Sequence, residues 1–101
     1  MNTDTEVVVE KRKTRGPKEP GRFCVIFHND DMTPMDFVVQ LLETVYHHDL
    51  KVAHEITMSI HEQGRGIAGV YSYEIAEQKA METVHLARNN GFPLAVTVEA
   101  E

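Results

Sequence analysis

Apolar residues run without interruption from Phe23 to Phe27 (FCVIF), a stretch of strand length, rich in aromatic and β-branched residues, that predicts a mostly buried strand. A polar cluster then interrupts it. In FHNDDMTPMDF, residues 27–37, Thr33, Pro34 and Asp36 supply a hydroxyl for the N-cap, a proline for N1 and a carboxylate for N3, and so predict a helix start. Phe37, Val38, Leu41, Leu42, Val45 and Tyr46 recur at helical spacing and form one inward stripe, ending near His47 and His48. Asp49 is placed to cap a second helix running to about Gln63, with Val52, Ala53, Ile56 and Ile60 inward and Gly64 as the C′ residue.

Ile67 to Tyr71 reads as a short strand. Ser72 is placed to cap a third helix that stops at Gly91, with Ile75, Ala76, Ala80, Val84 and Ala87 packing inward and a charged opposite face. After Pro93, Leu94, Val96 and Val98 alternate with Ala95 and Thr97 as in a half-covered strand. The predicted order is βααβαβ, an α+β fold with a small antiparallel sheet packed against three helices. Residues 22–101 make up that domain. Residues 1–21 read as a disordered extension, because TRGPKEPG mixes proline, glycine and charge and the apolar Val7 to Val9 stand isolated.

Length and charge narrow the function. A chain of 101 residues supports one domain. Residues 1–22 hold six Lys or Arg against four Asp or Glu, and residues 23–101 hold four against twelve, so the extension is +2 and the body −8. A body that acidic repels phosphate backbones, which argues against nucleic-acid binding. The single cysteine, Cys24, has no intrachain partner, and no apolar run approaches the roughly 18 residues of a membrane span. The opening MNTDTE is too polar and acidic for a signal peptide. The expectation is a cytoplasmic protein with no membrane partner.

Asn29, Asp30 and Asp31 admit three readings. They form a turn and helix-start signal, since Asn and Asp bond their own backbone and carboxylates suit a helix N-terminus. A metal site with His61 as a further ligand is the second, but the calcium-loop pattern lacks its glycine and alternating ligands. The third is capture of a cation at the edge of an apolar pocket. It is raised by His61, at a point where a helical hairpin would fold back beside the first helix. The remaining histidines, His28, His47, His48, His54 and His85, read as surface or helix-end residues. No Ser, Cys or Thr sits in a nucleophile motif, and GRGIAG lacks the lysine and strand-to-helix context of a phosphate loop. An Asp with a His leaves acid–base chemistry available to a small hydrolase.

NDDMTPMDFV at 29–38 and IHEQGRGIAGVYSYEIAEQKA at 60–80 closely resemble the ClpS adaptor family, over roughly residues 22–99. That resemblance implies a non-catalytic adaptor, without cofactor or metal, that binds the first residue of N-degron substrates, typically Leu, Phe, Tyr or Trp. It would deliver them to the N-terminal domain of a ClpA-type AAA+ unfoldase. It assigns Asn29, Asp30, Asp31, Thr33 and His61 to the substrate's α-amino group and backbone, and Met35, Val38, Thr57, Ile60 and Leu94 to a side-chain pocket in which Met35 excludes β-branched first residues. Glu74 and Lys79 match positions that dock the unfoldase, and the extension would serve in hand-over. Thr57 stands where the family commonly has a longer apolar residue and Met32 where an aromatic is frequent, implying an altered preference among large first residues.

Elementary energetics agree with a two-part site. An α-amino group, ordinarily titrating near pH 8, presents a positive charge and three donors that suit amide, carboxylate and neutral imidazole acceptors. Burying a Leu or Phe contributes roughly 1.5 to 3 kcal/mol and each charge-assisted hydrogen bond roughly 1.5 to 3 more, against an association cost of at least about 4 kcal/mol. Both features are needed for affinity near micromolar. The competing functions are a regulatory module that binds the unfoldase without reading degrons, and the small hydrolase. A monomer is expected, because the helices leave charged outer faces.

Overall fold

The structure is a computed structural model that describes residues 7–10 and 21–101. Its elements are β1 (Val7–Glu10), β2 (Phe23–His28), α1 (Met35–Thr44), α2 (Leu50–Gln63), β3 (Arg65–Tyr71), α3 (Tyr73–Asn89) and β4 (Ala95–Ala100). Strand order in the single sheet is β1-β4-β2-β3. β2 pairs antiparallel with both β3 and β4, while β1 lies parallel to β4 at the sheet edge. The antiparallel trio and three helices are the α+β arrangement expected from hydrophobic periodicity.

Register explains the core. Val25 faces Val98 and Phe27 faces Val96 across β2 and β4, and all four are fully buried. Against them lie Val38, Leu41 and Leu42 of α1, Val45 and Tyr46 just beyond its end, and Ala76, Ala80, Val84 and Ala87 of α3. The alanines bring α3 close to the sheet, and Phe27 meets Tyr46 edge-on at 5.5 Å. Ile75, expected inward, is 42% exposed: its position at the start of α3 lies just off the alanine stripe.

Four local differences have physical causes. The extension expected over 1–21 contains β1, because the β-branched Val7 to Val9 find an unpaired edge of β4; the rest of that extension lies outside the described residues. Thr33 does not cap α1, for its hydroxyl donates to Asp30 and Pro34 takes the N-cap position. α1 ends at Thr44, and the chain leaves it through His47 in the left-handed region at φ 62°. β3 carries a bulge: Val25 pairs with Gly69 and Ile26 with Ile67, leaving Ala68 out of the register. His48 Nε2 lies 2.6 Å from the Ala68 carbonyl and therefore carries the proton that it donates, so His48 is a structural tie and not the surface residue expected.

Candidate functional site

One backbone staple brings the distant parts of the site together. Gly64, in the left-handed conformation at φ 91°, ends α2 and donates its N–H to the Ile60 carbonyl. Its own carbonyl accepts the Asn29 N–H at 2.9 Å. The chain leaving β2 is thereby fastened to the last turn of α2, and Asn29 stands beside the turn that carries His61.

The segment from Asn29 to α1 is organised by one carboxylate. Asp30 Oδ1 accepts the backbone N–H groups of Met32 and Thr33, each at 2.7 Å, and Oδ2 accepts the Thr33 hydroxyl at 2.8 Å. A carboxylate offers about four lone-pair sites, so three are engaged locally. Asp30 shapes the rim more than it faces outward. Asp31 opens the bend that Asp30 holds in place, and its side chain is exposed to solvent.

Between these parts lies a small cavity of about 20 Å³, open to solvent. Val38 from α1, Thr57 and Ile60 from α2, and Leu94 just before β4 form its interior, each less than a tenth exposed. Thr57 is compatible with an apolar wall because its hydroxyl donates back to the Ala53 carbonyl at 2.8 Å. Met35 stands at the mouth, 42% exposed, and Asn29, Asp30, Thr33 and His61 complete the lining. The exposed side chains of Asn29 and His61 make no hydrogen bond to the described residues, so their acceptors remain open beside an apolar hole. α2 also ends here, and its unpaired carbonyl end favours a cation.

The residues expected at this site therefore meet, with the exception of Asp31. His28 is the addition: it lines the cavity and sits half-buried, its Nε2 2.8 Å from Thr97 Oγ1 across the sheet. Sequence reading placed His28 among ordinary surface residues; it stands opposite Ala95 and meets Thr97 diagonally, a neighbour set by the register of β2 on β4 and not by any local signal. Among the described residues no group of three or more His, Cys, Asp or Glu is placed to hold a metal ion. The arrangement can accept a cationic group with hydrogen-bond donors and bury an attached apolar side chain.

Glu74 and Lys79 lie apart from the cavity on α3. Glu74 is exposed, but Lys79 is half-buried and donates from Nζ to the Val45 carbonyl at 2.7 Å. Its ammonium also rests 5.6 Å from the Tyr46 ring and 5.5 Å from the Tyr71 ring. Beneath it, the Tyr46 phenol and the Thr83 hydroxyl share a hydrogen bond of 2.6 Å, and both reach the Lys79 carbonyl, at 3.3 and 2.7 Å. Burial pushes the Tyr46 phenol far above its ordinary range, and burial, helped by Glu101 and Glu99, raises the Cys24 thiol.

Comparison with known proteins gives a consistent set of similarities. The family profile described as "ATP-dependent Clp protease adaptor protein ClpS" matches residues 18–97. The chain is 50% identical over 82 residues to the ATP-dependent Clp protease adapter protein ClpS of Desulforapulum autotrophicum, covering 81% of this chain and 79% of that protein. It is 40% identical over 92 residues to the ClpS of Vibrio atlanticus, covering 91% and 86%. Among solved structures, Agrobacterium tumefaciens ClpS2 bound to L-phenylalaninamide is similar with a TM-score of 0.79 at 35% identity, covering 82% of this chain and 100% of that one.

Proposed function

The chain belongs to the ClpS adaptor family, and from that premise we propose that its cavity grips the first residue of an N-degron, the side chain inside and the free α-amino group at the rim. Members of the family are non-catalytic adaptors that bring degron substrates to an AAA+ unfoldase. The observation that carries the proposal is the juxtaposition of open acceptors on Asn29 and His61 with the apolar interior of Val38, Ile60 and Leu94. L-phenylalaninamide, bound by the Agrobacterium relative, has both features such a site would read, a free amine and an apolar ring.

Asn29 and His61 would accept directly from the α-ammonium. Asp30 would act through the loop it orders and through its remaining lone pair, with Thr33 held beside it. Asp31 would contribute charge from a distance instead of a contact. Met35 at the mouth would exclude β-branched first residues. Thr57 leaves room that a longer side chain would fill, so Thr57→Met is expected to change the ranking of Leu, Phe, Tyr and Trp peptides; identical rankings in wild type and variant would refute this.

The partner is proposed to be the N-terminal domain of a ClpA-type unfoldase, met by α3. Glu74 offers an exposed charge there. The Lys79 ammonium already contacts a carbonyl and two rings, which favours a positioning role for its part in docking. Among the described residues no helix is long and apolar enough to cross a membrane, and we place the protein in the cytoplasm as a monomer.

One titration tests the reading against its competitors. Peptides beginning with Leu or Phe, with and without N-acetylation, are mixed with the protein, and binding and peptide integrity are followed together. Binding abolished by acetylation with the peptide intact supports the adaptor. Binding indifferent to acetylation favours a module that does not read degrons, and cleavage favours a hydrolase.

A further inference from the structure

Gly66 is a glycine that its backbone does not require. It lies in β3 opposite Phe27, and the glycines with positive φ are Gly64 and Gly91. What it provides is space: a Cβ at this position would stand 2.7 Å from Ile60 Cγ1 and 3.4 Å from the Ile56 carbonyl oxygen. Ile60 thus occupies the volume that a side chain at 66 would claim. Ile60 also lines the cavity, and it is 4% exposed. Being β-branched and inside a helix, Ile60 has one strongly preferred χ1 and cannot swing aside without strain.

We propose that Gly66 sets the width of the pocket by allowing Ile60 to lie back against β3, so that the Gly66–Ile60 pair helps decide which first residue fits. This inference rests on the N-degron reading of the cavity. A methyl group at 66 meets the Ile56 carbonyl of α2, which is fixed, and Ile60, which also lines the cavity. Displacement of Ile60 therefore narrows the cavity, and a broad aromatic side chain suffers more than Leu.

The test compares peptides that differ only in a first residue of Leu, Phe or Trp, bound to wild type, Gly66→Ala, Ile60→Val and the double variant. Gly66→Ala is expected to weaken Phe and Trp relative to Leu by about tenfold, the scale of one methylene in a tight apolar pocket. Ile60→Val removes the Cδ1 methyl, which stands 3.6 Å from a Cβ at 66, so the shorter side chain lies further back against β3 and the ranking should shift toward Trp. In the double variant the methyl added at 66 replaces the one removed at 60, a nearly volume-conserving exchange, and the ranking should return to that of wild type. This last comparison holds even if Gly66→Ala alone folds poorly. A double variant that ranks peptides as Ile60→Val does, or a Gly66→Ala protein that keeps the wild-type ranking, overturns the proposal while leaving the degron reading intact. Failure of wild type to bind any unblocked peptide overturns both.

Discussion

The two ends of α1 handle polar groups in opposite ways. At its C-terminal end a set of polar groups is paired inward: Lys79 donates to Val45, Thr83 to Lys79 and His48 to Ala68, while Tyr46 and Thr83 share a hydrogen bond. At its N-terminal end Asp30 is engaged within the loop, but Asn29 and His61 keep open acceptors above an apolar cavity. No buried side-chain nitrogen or oxygen among the described residues lacks a partner, so the open groups are confined to the surface, where water holds their place until a ligand arrives. Closed networks of the first kind stabilise the fold, and open ones of the second kind are left able to bind.

That contrast predicts which end governs affinity and which governs stability. The largest effect should follow Asn29→Ala combined with His61→Ala, which removes both open acceptors. With each charge-assisted bond contributing roughly 1.5 to 3 kcal/mol, affinity for an unblocked Leu peptide should fall at least about a hundredfold, while the melting temperature stays near wild type because neither side chain bonds within the described protein. Calorimetric titration and thermal unfolding of the same sample would decide it. A large stability loss would erase the distinction between the ends.

Tyr46→Phe should do the reverse. Loss of the phenol removes the hydrogen bond shared with the buried Thr83 hydroxyl, costing about 1 to 2 kcal/mol of stability with unchanged peptide affinity. Lys79→Met keeps most of the apolar stem but loses the bond to Val45 and the contacts with two rings, a loss of roughly 1 kcal/mol. Urea unfolding measures both, and a change in peptide affinity in either variant would show that the two ends are coupled.

The smallest effect concerns alkali. Burial raises the Tyr46 pKa above the ordinary 10.0, so the neutral phenol is preferred in the folded chain. A raised folded value means that its stabilising contribution is complete below the unfolded pKa and declines as pH rises through about 10 and beyond. The urea midpoint should therefore drop across that range in wild type and drop less in Tyr46→Phe. Equal slopes would mean that other groups control alkaline unfolding.

Much of this molecule is legible in its residues. The caps are an example: Asp49 accepts the Val52 N–H, and Gly64 and Gly91 end their helices at positive φ, since few other residues tolerate that conformation. Thr33 shows where local reading stops. Its hydroxyl has two competing partners, the helix amides and the Asp30 carboxylate, and the loop geometry awards it to Asp30. β1 is a second case, because an isolated Val-Val-Val acquires meaning only once an unpaired edge of β4 is nearby.

The sequence by itself determined the three helices and the strands of the antiparallel trio, because period and capping chemistry are local properties, whereas the set of side chains proposed to meet an amine beside an apolar pocket came from the resemblance to the ClpS family. Tertiary structure alone decided that Asn29 would be fastened to Gly64, that Asp31 would stay outside the lining while His28 joined it, and that Ile60 would use the space left by Gly66. Those outcomes depend on contacts between segments far apart in the chain, and the residues involved carry no local signal of which neighbour the fold will supply.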